Sequence, residues 1–149
     1  MPAGKVLVDT SVYVNAIRQG REGPTGVQLI EWFPRTYLAS VVSAELRAGV
    51  RSAKGATAVL RFTDGFGRVG RVVAPTTQSW NLAGDIVARI ARTRPDLSNA
   101  VVHLWNDTLI ALSARQVGAT LVTDNVADFA LLREYVTFRF EPFPADTTP

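Results

Sequence analysis

Asp9, Glu45, Asp107, Asp124 and Asp128 are the side chains best placed to do chemistry, because of where they fall along the chain. Asp9 directly follows the apolar run Lys5–Val8. Glu45 lies on the helix after a second short run, Tyr37–Ala39. Asp107 opens the helix before the run Ala119–Val122, and Asp124 and Asp128 follow that run. In an open parallel sheet the carboxyl ends of the strands line one edge, and ligands bind there. Distant segments can therefore deliver carboxylates to one place. Each acid also has a local reading. Asp9 could cap a helix starting near Ser11, Asp107 could complement a helix dipole, and Asp124 and Asp128 could serve a turn and a cap. Glu45, set among Val41, Val42, Ala44 and Leu46, suits a local role least well.

Gathered carboxylates repel one another and raise their own pKa values, and a divalent cation relieves this. Oxygen ligands without His or Cys select a hard ion, Mg²⁺ with Mn²⁺ as substitute. Such an ion activates a water and neutralises charge on a phosphoryl oxygen, so the expected chemistry is phosphodiester hydrolysis.

The rest of the chain removes competing chemistries. There is no cysteine, which excludes thiol nucleophiles, zinc fingers and disulfides. The one histidine, His103, sits between Val102 and Leu104 and reads as a packing or hydrogen-bonding residue. There is no Gly-x-Ser-x-Gly elbow and no phosphate loop. Ser11 stands where a dehalogenase-type phosphatase needs its second aspartate. The glycine-rich stretch Gly65–Gly70 precedes a strand and reads as a turn.

The elements that must position the acids alternate. Short apolar runs predict strands at Lys5–Val8, Tyr37–Ala39, Val72–Ala74, Ala119–Val122 and Thr137–Phe140. Helical spacing covers Ser11–Gln19, Thr25–Phe33, Val41–Arg51, Ala56–Phe62, Thr76–Thr93, Asn106–Val117 and Asp128–Tyr135. Trp80, Ala83, Val87 and Ile90 mark the buried stripe of the Thr76–Thr93 helix. Repeated βα units predict a three-layer α/β/α sandwich around a parallel sheet of about five strands.

Four blocks then stand in order: Leu7-Val8-Asp9-Thr10-Ser11, Ser43-Ala44-Glu45-Leu46, Asn106-Asp107-Thr108-Leu109-Ile110-Ala111, and Ala119 through Phe129. Together they resemble the PIN-domain ribonucleases, and most closely the VapC-type toxins of toxin–antitoxin pairs, over nearly the whole chain. The resemblance implies a PIN-like fold and a Mg²⁺-dependent endoribonuclease. It implies metal binding by Asp9, Glu45 and Asp107. Asn125 stands where many members have the fourth acid, so Asp128 or Asp124 would supply that charge. Thr10, Ser11 and Thr123 resemble hydroxyls that line such sites, with helix capping as the alternative. The implied partners are RNA, a cognate VapB-type antitoxin and a second copy of the chain.

The net charge is +3 and 14 of the 16 basic residues are arginine. Arg47, Arg51 and Lys54, spaced on one face of the Glu45 helix, could hold an RNA backbone. Trp32, Phe33, Trp80 and Trp105 read as core. No apolar run is long enough to span a membrane. The N-terminus shows no secretory signal, and the expectation is a cytoplasmic protein. One nuclease domain is expected over 1–141, with a proline-rich, frayed tail over 142–149. The competing reading is a non-catalytic PIN-like module that binds RNA or protein through a metal site weakened by Asn125. A related DNA nuclease is a third.

Overall fold

The computed structural model describes residues 2–20 and 22–144. In chain order the elements are β1 (Val6–Val8), α1 (Thr10–Gln19), α2 (Pro24–Trp32), β2 (Thr36–Ala39), α3 (Ser40–Ala48) and α4 (Ala53–Arg68). There follow β3 (Val72–Val73), α5 (Thr77–Thr93), α6 (Val101–Val117), β4 (Thr120–Thr123), α7 (Val126–Arg133) and β5 (Phe140–Pro142). The strands form one sheet in the order β3-β2-β1-β4-β5, and every pairing is parallel. Val6 pairs with both Thr36 and Thr120, which makes β1 the central strand.

Every residue of β1 and of β4 is buried. Successive strand residues point to opposite faces, so helices must cover both sides of the sheet. This is the expected α/β/α sandwich. The larger of two buried clusters runs from Val6, Leu7 and Val8 to Trp32, Phe66, Ile110 and Phe129, and a smaller one joins Ala83 to Leu109 and Leu112. No described helix is long and apolar enough to cross a membrane.

The chain lays down β1, β2 and β3 on one side, then returns through α6 to place β4 on the other side of β1. The order therefore reverses between β1 and β4, and the crevice of such a sheet opens there. Gly118 makes the return possible: it ends α6 at φ 68°, and its N–H reaches back to Ala114 and Arg115. Left-handed backbone there favours glycine.

Several expectations are corrected. α4 runs through Gly65 and Gly67 to Arg68, because Val59, Thr63 and Phe66 bury one face and outweigh two weak helix formers. α6 begins at Val101, so Asp107 lies well inside the helix and is not a first-turn acid. The last strand is Phe140–Pro142, and the Phe143 amide continues its pairing to Thr123 O at 2.9 Å. The Phe143 ring packs on Trp32 at 5.4 Å, so part of the expected tail is integral to the sheet. The tail expected beyond it, from residue 145, lies outside the described residues. Trp80 is half exposed and His103 is exposed; neither belongs to the core.

Candidate active site

Asp9 leaves β1 at the switch point and is only 4% exposed. It occupies the N-cap position of α1 but makes no capping hydrogen bond with its side chain. Instead Asp9 Oδ2 accepts from Ser11 Oγ at 2.7 Å and from Thr123 Oγ1 at 2.9 Å. Two hydroxyls from two elements thus hold one oxygen of a buried carboxylate. Charge-assisted bonds of this kind are among the stronger ones.

Glu45 reaches the same region from α3. Its Oε1 accepts from Thr10 Oγ1 at 2.9 Å, which ties α3 to the first turn of α1. Thr10, Ser11 and Thr123 each donate a hydroxyl to one of these carboxylates. Asp107 comes from α6 and is half buried. Burial pushes its carboxyl up to about 7, and the negative charges of Asp9, Asp128 and Glu45 add to the effect in that order. Four carboxylates from four elements thus share one electrostatic neighbourhood.

The fourth position resolves into two different environments. Asp128, in the first turn of α7, accepts at Oδ2 from Asn125 Nδ2 at 2.7 Å and bears on Asp107. Asp124 is exposed, accepts from Asn15 Nδ2, and has no part in raising Asp107. Its amide donates to Ser11 Oγ at 3.2 Å. Asn15 is not among the residues the sequence singles out. Its spacing of four from Ser11 on α1 was the available signal, since both then face the same side of the helix.

The three basic residues do not form the expected single face. α3 ends at Ala48, so only Arg47 shares a helix with Glu45. Gly49 and Val50 follow, and Arg51 folds back to donate to Ala48 O at 2.9 Å and Val50 O at 3.0 Å. Lys54 belongs to the first turn of α4.

The donor set suits a hard dication: the groups that bear on Asp107 are all carboxylates, and the one histidine, a turn before Asp107 on α6, is exposed and not among them. Among the described residues, no three acidic or histidine side chains close tightly enough to hold an ion by themselves. That is compatible with the repulsion at Asp107. Charges are felt over several Å, whereas direct ligation of Mg²⁺ needs an oxygen at about 2.1 Å. The acids fit a hydrated ion, bound directly by one or two carboxylates and through water by the rest.

Solved structures share this architecture. The chain matches DNA-bound VapBC from Salmonella typhimurium with a TM-score of 0.64 and 23% identity, over 93% of this chain and 98% of that one. It matches VapBC2 from Rickettsia felis, bound to a DNA fragment from their promoter, at 0.63 and 21% identity, over 93% and 98%. A third match is VapBC-5 from Mycobacterium tuberculosis, a member of the VapBC family of toxin–antitoxin systems, at 0.55 and 21% identity, over 95% and 98%. No family model and no curated protein matches the chain. At these identities the likeness is one of fold.

Proposed function

We propose that this chain is the toxin of a toxin–antitoxin pair and acts as a Mg²⁺-dependent endoribonuclease, with Mn²⁺ as substitute. The observation that carries the reading is Asp107, a carboxyl pushed up to about 7 by burial and by three neighbouring acids. Such crowding has no evident use in holding the fold together, and strongly perturbed groups gather at functional sites. The shared architecture with VapBC structures supports the same reading.

Asp9, Glu45 and Asp107 would hold the ion, and Asp128 would complete the surrounding charge. When bound, the ion supplies a polarised phosphoryl oxygen and a water of lowered pKa. The chain's own residues prepare the site. Ser11 and Thr123 fix one oxygen of Asp9 and leave Oδ1 for ligation. Thr10 fixes one oxygen of Glu45. Asp107 gives up its proton as positive charge arrives. The reaction is hydrolysis of the bond to the 3′ oxygen, leaving a 5′ phosphate. A cognate VapB-type antitoxin and a second copy of the chain are the partners in this reading.

The test is cleavage of single-stranded RNA with Mg²⁺ by the parent, Asp9→Asn and Asp107→Asn, each checked for folding by circular dichroism. Loss of cleavage in both folded variants is expected. Undiminished cleavage by both would overturn the assignment.

A second reading, a non-catalytic RNA- or protein-binding module, is favoured by the looseness of the acid cluster and by the engagement of Asp128 with Asn125. Titration with Mn²⁺ separates the two. A working site raises the melting temperature as ion binds the native state, and a flat response favours the module.

A further inference from the structure

A cleft between α3 and α4 stands apart from the acid cluster. Its volume is about 510 Å³, and Leu38 and Val72, on the β2–β3 edge of the sheet, lie at its apolar side. Arg47 lines it. The guanidinium donates from Nη2 to Thr63 Oγ1 at 2.8 Å and from Nε to Ser43 Oγ at 3.5 Å. Thr63 is buried and donates its own proton to Val59 O at 3.0 Å, which leaves its oxygen as the acceptor for Arg47. Arg47 is thus set in place by neutral groups. Asp64 lines the same cleft, yet among the described residues the one ion pair is Arg94–Asp96. A preset guanidinium without a carboxylate partner offers its fork to an incoming anion.

Gly67 is a second, independent feature. It lies inside α4 and has no positive φ, and a Cβ there would meet nothing within 4 Å. Neither backbone nor packing requires glycine, which helix interiors disfavour. Gly67 lines the cleft, so what its missing side chain leaves is open space against bare backbone. The third feature is charge. Lys54, Arg61 and Arg68 recur at heptad spacing on α4, and all are exposed. They form a stripe about 21 Å long that ends at the cleft, which Arg68 also lines.

We propose that this cleft is a nucleotide subsite that takes a phosphate of single-stranded RNA on Arg47, with the α4 stripe guiding the adjoining backbone. This rests on the nuclease reading. α3 carries Arg47 toward the cleft and Glu45 toward the acids, so RNA crossing that helix reaches both. Phosphate fits better than a partner's carboxylate. Ser40 and Ser43 add hydroxyl donors beside the fork, and the volume suits a nucleotide with its sugar or base against the exposed Val72.

The test is fluorescence anisotropy of a labelled oligoribonucleotide in EDTA, which silences the metal centre. The variants are Arg47→Gln, Arg47→Lys and Gly67→Leu. Gly67→Leu replaces neither Arg47 nor Thr63, and its Cβ has open space around it, so it remains informative if Arg47→Gln unfolds. Arg47→Gln and Gly67→Leu are expected to weaken binding about ten-fold. Arg47→Gln should also flatten the salt dependence by roughly 0.7 per lost phosphate contact. Arg47→Lys should fall between. Parental affinity and salt slope in both Arg47→Gln and Gly67→Leu would overturn the proposal. Tighter binding of a free 5′-mononucleotide than of the oligomer would overturn it in favour of a small ligand. Binding of an acidic peptide that depends on Arg47, with RNA binding unchanged, would overturn it in favour of a protein partner. Cleavage with Mg²⁺ is scored separately. RNA held through the cleft without cleavage supports the subsite and refutes the nuclease, and cleavage with unaltered binding does the reverse.

Discussion

Thr123 Oγ1 donates a 2.9 Å hydrogen bond to Asp9 Oδ2 across the switch point between β1 and β4. Both residues are buried. The same hydroxyl oxygen accepts the Asn125 amide at 2.8 Å, so one threonine fixes the central acid and the turn into α7 together. Thr123→Val keeps the shape and removes both bonds. A buried bond to a charged group contributes about 1.5–3 kcal/mol, and the stranded amide adds to the loss. Urea denaturation should show roughly 2–4 kcal/mol of destabilisation, with Thr123→Ser recovering most of it. An unchanged midpoint would show that the bond does not hold the site.

Asp107 should make the metal-free protein less stable as pH rises. Its carboxyl titrates at about 7 in the folded chain, against about 3.9 in an unfolded one. The native state therefore binds the proton more tightly. The penalty is absent below about pH 4, grows between pH 4 and 7, and is constant above. Asp107→Asn removes it. In EDTA the variant should match the parent at pH 4 and exceed it by roughly 2–4 kcal/mol at pH 8, an upper range because water still reaches this half-buried group. Equal stability at pH 8 would mean that repulsion and burial do not act on Asp107.

The sequence exposes the strands well and the helix ends poorly, for physical reasons. β1 and β4 are buried on both faces, so their runs are continuously apolar and end at the residues that matter, Asp9 and Thr123. α6 starts earlier than expected because Val102 and His103 in its first turn are exposed and Val101 is only partly buried, which leaves no apolar periodicity to announce it. β5 lies later than expected because the alternation of Phe138 and Phe140 does not mark where pairing begins, and pairing with β4 decides the register. Asp9 is legible as a strand-end residue, and Glu45, Asp107 and Asp128 as acids on the helices next to strands. The distinction between Asp124 and Asp128 is not, since it depends on Asn15 and Asn125, which only the folded chain brings to them.

That distinction is open to measurement. Asp128 contributes to the field on Asp107 and Asp124 does not. Asp128→Asn should lower the Asp107 titration point, read by NMR, and weaken Mn²⁺ binding by about 10–100-fold, as losses around a metal site typically do. Asp124→Asn, an exposed change, should leave Mn²⁺ affinity within about two-fold. The opposite ranking would place the fourth charge at Asp124.

Metal binding and the Asp107 proton must compete. A carboxylate ligates only when deprotonated, and Asp107 is about half protonated at pH 7 given its titration point of about 7. Mn²⁺ affinity should therefore rise about ten-fold per pH unit well below 7 and level off above 8. Calorimetric titration at pH 7 in two buffers of different ionisation enthalpy should report release of about half a proton per ion. Asp107→Asn has no proton to lose there. It should bind Mn²⁺ weakly, without that release and without the pH dependence. If the parent takes up Mn²⁺ with no proton release at pH 7, the ion does not meet Asp107, and the acids gathered at the switch point serve something other than a shared cation.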